Sequence, residues 1–211
     1  AAGLIEILLH GDWPAVTLNR LWDHALDQLE EKGLVTEPVE KVKKQLAEFF
    51  ALRLRTVLQE EEMRHDVIDA VLAAGVNDPR LTVEKARHLM ERIKDEDAFR
   101  PVLEALNRTA NLGRKGDPGM AVDSSLMEEE AERLLRDAYL LAAERFDAAF
   151  ARRDVSGMYE ALAEMAPAIH RFFDDVFVMA EDETVRSNRL ALLRRVTDLA
   201  TRFAHFDRLT G

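Results

Sequence analysis

"FFDDVFVMAEDETVRSNRLALL", Phe172 to Leu193, places five carboxylates in ten positions, Asp174 to Glu183, and then turns basic at Arg186 and Arg189. Such a stretch is either a carboxylate-rich active or metal site, or the outside of a corner between two packed helices. The corner explains more of the residues. Acids are favoured at helix N-termini, where unpaired N–H groups make the dipole positive. Asp182 and Glu183 stand at the start of a segment in which Leu190, Leu193, Val196, Ala200, Phe203 and Phe206 recur every three or four residues, one apolar helical stripe. Phe172, Phe173, Val176, Phe177 and Met179 are expected to supply core around the acids. The spacing predicts helices over 156–181 and 183–208, joined by a corner whose acids cap the second helix and pair with Arg186 or Arg189.

Working outward, helical periodicity continues over about 1–10, 15–32, 37–60, 63–74, 79–94, 96–112 and 125–152, with no run of alternating β-branched residues. The fold class is all-α. Asp78 before Pro79 is an N-cap with proline at the first helical position, where its missing N–H costs nothing. Ser125-x-x-Glu128 reads as a capping box. Gly75 and Gly113 sit where a helix would end in a left-handed residue. Pro167 should bend or restart its helix, because it removes a backbone donor. "GRKGDPGMAVDSS", Gly113 to Ser125, is the strongest loop candidate. The division expected is a helical region over 1–35 and a helical bundle over 36–211. Helical spacing predicts a core containing Phe49, Leu54, Val67, Val71, Leu103, Leu135, Phe173, Val176, Leu190, Leu193 and Phe203.

Of the 211 residues, 47% are apolar and 33% charged, a globular composition with no apolar run near the roughly 20 residues of a membrane span. The start, "AAGLIEILLHGDW", has no basic n-region and reads as a cut into a helix rather than a signal peptide. Absence of cysteine removes disulfides and thiolate metal sites and suits a cytoplasmic location. The net charge of −11 repels nucleic acid, so any RNA contact needs a local basic patch.

Motifs for catalysis are missing. The six histidines form neither H-E-x-x-H nor a repeated Glu-x-x-His, and the His65–Asp66 doublet points about 100° apart on a helix. There is no P-loop, no G-x-G-x-x-G and no G-x-S-x-G. Asn107-Arg108-Thr109 is a glycosylation sequon by chance, without secretory context. Two basic stretches remain. Arg186 to Arg208 holds six Arg against two Asp, and Asn107 to Gly116 holds Arg108, Arg114 and Lys115 with no acid. Arg108 and Asn111 lie three apart, on one helix face. Arg108 could bridge to Glu104 four residues earlier, or it could meet RNA.

Three blocks of this chain resemble the β subunit of bacterial glycyl-tRNA synthetase. The first is "FFDDVFVMAEDETVRSNRLALLRRV", similar to that family's F-F-D-x-V-x-V-M followed by D-x-x-x-R-x-N-R-L-x-L-L. The second is "FFALRLRTVLQEEEMRHDVIDAVLA", Phe49 to Ala73. The third is "LNRTANLGRK", Leu106 to Lys115, resembling K-R-x-x-N-I-L, with Arg108 and Asn111 on the matched Arg and Asn. The resemblance implies the C-terminal piece of that subunit, with an α-helical anticodon-binding domain similar to that of arginyl-tRNA synthetase. It implies tRNA with a glycine anticodon and the α subunit as partners, and neither membrane nor DNA. ATP is used by the whole enzyme, a ligase, while this piece carries no cofactor, no metal and no catalysis. RNA-binding residues are then expected at Arg108, Asn111, Arg114, Lys115, Arg186 and Arg189. The alternative is a helical interaction module that docks a partner subunit without touching RNA.

Overall fold

In the computed structural model, which describes residues 2–11 and 16–210, every regular element is helical. Helices run α1 Ala2–His10, α2 Leu18–Glu31, α3 Val39–Glu60, α4 His65–Ala73, α5 Pro79–Arg92, α6 Glu96–Gly113, α7 Glu130–Ala151, α8 Val155–Ala163, α9 Ala166–Asp175 and α10 Glu183–Thr201, with short 3-10 turns at Ser124–Leu126 and Phe206–Arg208. The expected helix starts at residues 1 and 15 lie outside the described residues.

The backbone divides into two compact units between Met90 and Glu91, in the last turn of α5. The expected boundary after residue 35 falls inside the first unit. Its position is explained by packing: α2 buries Leu18, Trp22 and Leu26 at four-residue intervals, α3 does the same with Phe50, Leu54 and Leu58, and the Trp22 and Phe50 rings meet at 5.7 Å. Asn77 ties the start of α2 into the same unit. Its carbonyl accepts from Leu18 N–H and its side-chain oxygen from Asn19 N–H, both at 2.8 Å, satisfying two donors that a helix start leaves orphaned. Phe50, not Phe49, faces this core; Phe49 is 40% exposed and lies under the Arg53 guanidinium.

In the second unit α6 packs against α10 and α9, and α7 against α8, α9 and α10. Gly113 does not end α6 in a left-handed conformation; the helix passes through it and Arg114 caps it. Glycine is needed there for close approach, because a Cβ would sit 2.8 Å from the Leu193 carbonyl oxygen of α10. Gly75, at φ +106°, does have the left-handed conformation expected of it. Asp78 caps α5, accepting from Leu81 N–H at 3.0 Å.

The predicted helix 156–181 is two helices, α8 and α9, restarting just ahead of Pro167 as its missing donor requires. Helix 125–152 begins later than expected, at Glu130, because its capping box is Glu129 with Glu132 and not Ser125 with Glu128. The last helix stops at Thr201, and Phe203 and Phe206 reach the core from the turn beyond it. Phe172 is fully buried, whereas Phe173, the expected core residue, is only half-buried.

Candidate nucleic-acid interface

The acidic stretch is a corner held from inside. α9 ends at Asp175 and α10 begins at Glu183, with Asp182 as its N-cap. The Asp182 carboxylate accepts from Thr184 N–H at 2.7 Å and Val185 N–H at 3.1 Å, and these backbone donors hold its pKa below the usual carboxylate range. Arg186, half-buried, donates to the Ala180 carbonyl at 2.9 Å and lies 3.9 Å from Glu183. Asn188 is buried and clamps the distant Asp123 backbone at both ends: its Oδ1 accepts from the N–H at 2.7 Å and its Nδ2 donates to the carbonyl at 2.9 Å.

Arg189 is the centre of this corner and corrects an expectation. Its side chain is 5% exposed and faces Glu132 of α7, itself 1% exposed. The guanidinium donates to Glu132 at 3.0 and 3.2 Å, to Glu128 at 3.0 Å and to the Phe177 carbonyl at 3.0 Å. Glu132 also accepts from the N–H groups of Glu128 and Glu129, at 3.0 and 2.9 Å, so both buried charges are fully hydrogen-bonded. Burial works against the Arg189 charge, but the Glu132 and Glu128 carboxylates more than offset it and raise its pKa. An arginine so enclosed cannot also reach a phosphate. The expected pairing of the stretch's acids with Arg189 is replaced by two carboxylates from elsewhere, Glu132 of α7 and Glu128 just ahead of that helix.

The basic run from Arg186 to Arg208 is largely spent in the same way. Arg194 pairs with Asp198 at 2.7 Å, Arg202 with Asp147 at 2.7 Å, and Arg195 donates to the Met120 carbonyl at 3.3 Å. Charge counted along the sequence is thus not charge offered to solvent.

The C-terminal half of α6 differs. Glu104 is taken by Arg100 at 2.9 Å, so the bridge to Arg108 does not form. Arg108 is exposed, with its guanidinium 4.4 Å from the centre of the Phe173 ring on α9. Phe173 is held edge-on by buried Phe172, their centroids 5.5 Å apart, and α9 is tied to α6 by His170 Nε2, which donates to the Pro101 carbonyl at 2.9 Å. Asn111 is exposed one turn beyond Arg108, and Lys115 is exposed past the helix end, with no ion pair among the described residues. Arg114 pairs with Asp207. Gly116 fixes the loop against α10, where a Cβ would meet the Leu190 carbonyl oxygen at 2.5 Å.

Of the six expected residues, Arg108, Asn111 and Lys115 therefore lie outward on α6 and its following loop. Arg114 is exposed but engaged, Arg186 is half-buried on a carbonyl, and Arg189 is interior. Phe173, the ring under Arg108, was assigned to the core in the sequence and not to the site. Its signal is the Phe172–Phe173 doublet, since adjacent residues on a helix cannot both face the same core.

Residues 102–203, which span α6 to α10 and include both the outward face and the corner, match the DALR anticodon binding domain; residues 1–73 match the glycyl-tRNA synthetase beta subunit domain. The chain belongs to the glycyl-tRNA synthetase β-subunit family. It is 41% identical over 209 residues to a glycine–tRNA ligase beta subunit of Shouchella clausii and 36% identical over 209 to that of Halalkalibacterium halodurans, in each case 99% of this chain and 30% of that protein. Against the glycine–tRNA ligase beta subunit of Desulforudis audaxviator it is 39% identical over 167 residues, 79% of this chain and 24% of that protein. The chain thus spans about a third or less of the length of these relatives. Among the described residues no helix is long and apolar enough to cross a membrane.

Proposed function

We propose that this chain binds the anticodon region of glycine tRNA on the outward face of α6, as part of a cytoplasmic glycine–tRNA ligase. The ligase uses ATP elsewhere, together with its α subunit or α part. The observation that carries this reading is Arg108: an exposed guanidinium, not neutralised by Glu104, centred over the Phe173 ring at 4.4 Å. One side of the guanidinium is taken by the ring. The other can stack an unpaired base, and its edge can donate to phosphate. Asn111, a turn away, carries an amide that can read a base edge, and Lys115 adds a phosphate contact that is blind to sequence. Anticodon bases are unpaired in their loop and can be splayed out, which is the form such groups recognise.

Filter-binding titrations against glycine tRNA and against the same tRNA with an altered anticodon test the reading. Arg108→Ala is expected to weaken binding about tenfold and to narrow the difference between the two tRNAs, while Lys115→Ala weakens both alike. Unchanged affinity and preference in a folded Arg108→Ala protein would remove the face from anticodon recognition.

A further inference from the structure

After α9 the chain is extended at Val176 and turns at Val178–Met179, and Val176 and Val178 are buried at 5% and 6% exposure. The side chains of Phe177 and Met179 are left on the outside. Phe177 is 74% exposed, the most exposed of the large apolar residues described, and Met179 is 44% exposed. This is not a loose loop. The Phe177 carbonyl is held by Arg189 at 3.0 Å and the Ala180 carbonyl by Arg186 at 2.9 Å. An exposed aromatic on a fixed backbone has little freedom left to lose on binding, which is the property of an interface anchor.

Its surroundings choose the kind of partner. Positions 174–183 carry five acids and no base. Asp174 and Glu181 make no ion pair among the described residues, and the acidic start of α7 is drawn alongside, Glu128 by Arg189 and Glu130 by Arg171. A nucleic acid could stack on Phe177 only by bringing phosphates against these carboxylates. A protein surface with Lys or Arg around an apolar recess meets both the ring and the charge.

We propose that the Phe177–Met179 knob docks a basic protein segment of the ligase assembly, outside the region described here. The relatives have about 30% of their length in the matched region, so most of each lies elsewhere. This rests on the family assignment but not on the RNA reading, because the knob and the Arg108 face bear on different ligands.

The test uses the purified complete ligase carrying Phe177→p-benzoylphenylalanine, or Met179→p-benzoylphenylalanine as a second position, irradiated with and without glycine tRNA. Leu140→p-benzoylphenylalanine, at an exposed apolar residue of α7, is the control. The cross-linked peptide is identified by mass spectrometry. Expected is an adduct with a ligase peptide holding Lys or Arg within a few residues of the attachment point, about fivefold above the control, and reduced to control level by Asp174→Lys with Glu181→Lys. Phe177→Ser should leave tRNA affinity within about twofold, which separates this result from a failure of the RNA reading. An adduct no stronger than the control, an adduct with a peptide lacking basic residues, or an adduct on the tRNA would each overturn the proposal.

Discussion

The outward face of α6 and the α9–α10 corner both draw arginines onto a small area, and they use them in opposite ways. At the corner Arg189 and Arg186 point inward, onto Glu132, Glu128 and the carbonyls of Phe177 and Ala180. On α6 Arg108 points outward, with an aromatic ring beneath it. The difference lies in what the neighbouring helix supplies. α7 and the turn ahead of it present two carboxylates to Arg189, Glu132 and Glu128, while α9 presents Phe173 to Arg108, and Glu104, one turn back on α6, is occupied by Arg100. A guanidinium is a binding group only where the fold leaves it unspent.

This contrast can be broken most forcefully at the paired phenylalanines. Phe172→Ala is expected to cost about 3–5 kcal/mol, because a fully buried ring leaves a cavity, whereas half-buried Phe173→Ala costs much less. Denaturant unfolding of the two variants checks it; equal losses would mean that Phe173 is core and Arg108 merely covers it.

Arg189→Met comes next. It strands the Glu132 charge in the interior and is expected to cost about 3–5 kcal/mol, while Arg108→Ala changes stability by about 1 kcal/mol or less. Thermal unfolding of both variants would contradict the contrast if Arg189→Met were neutral. The double change Arg189→Met with Glu132→Gln, which removes both charges, should recover part of the loss.

Acid sharpens the picture further. Asp182 and Asp123 both have carboxyl pKa values lowered in the fold, Asp182 by the Val185 and Thr184 N–H groups and Asp123 by the Ser125 hydroxyl and N–H. A lowered folded pKa means that the unfolded chain binds the proton first. The stabilisation is present above about pH 4 and is lost as pH falls through the depressed folded values. Asp182→Asn with Asp123→Asn should therefore flatten the fall in stability below about pH 4, as read by urea midpoints across pH. His205 works at a higher pH: burial lowers its pKa, so its contribution is present above about pH 6.5 and lost below it.

The smallest effect belongs to Lys115. Lys115→Ala should lower tRNA affinity about two- to fourfold at low salt and reduce the salt slope by about one, without altering anticodon preference. A change in preference would give Lys115 a reading role that its exposed position past the helix end does not suggest.

Much of this was legible in the sequence. The Leu190–Leu193–Val196 stripe, the Asp182 cap and the restart at Pro167 are local features, set by spacing and by backbone donors, and the structure contains each. What the sequence could not show was choice between equals. Phe49 or Phe50, and Phe172 or Phe173, are one helical step apart, and only the neighbouring helix decides which is buried. Partner choice was hidden for the same reason. Arg189 meets Glu132, 57 residues away, across a helix packing that no local pattern encodes. Family resemblance pointed to Arg108 and Asn111, but the ring that positions Arg108 lies in a different block of the sequence.

Hydrogen–deuterium exchange of the complete ligase with and without glycine tRNA distinguishes tRNA on the α6 face from tRNA on the corner. Peptides covering 106–120 are expected to slow on tRNA addition while those covering 174–183 do not change. Slowing centred on 174–183, with 106–120 unaffected, would contradict the α6 placement.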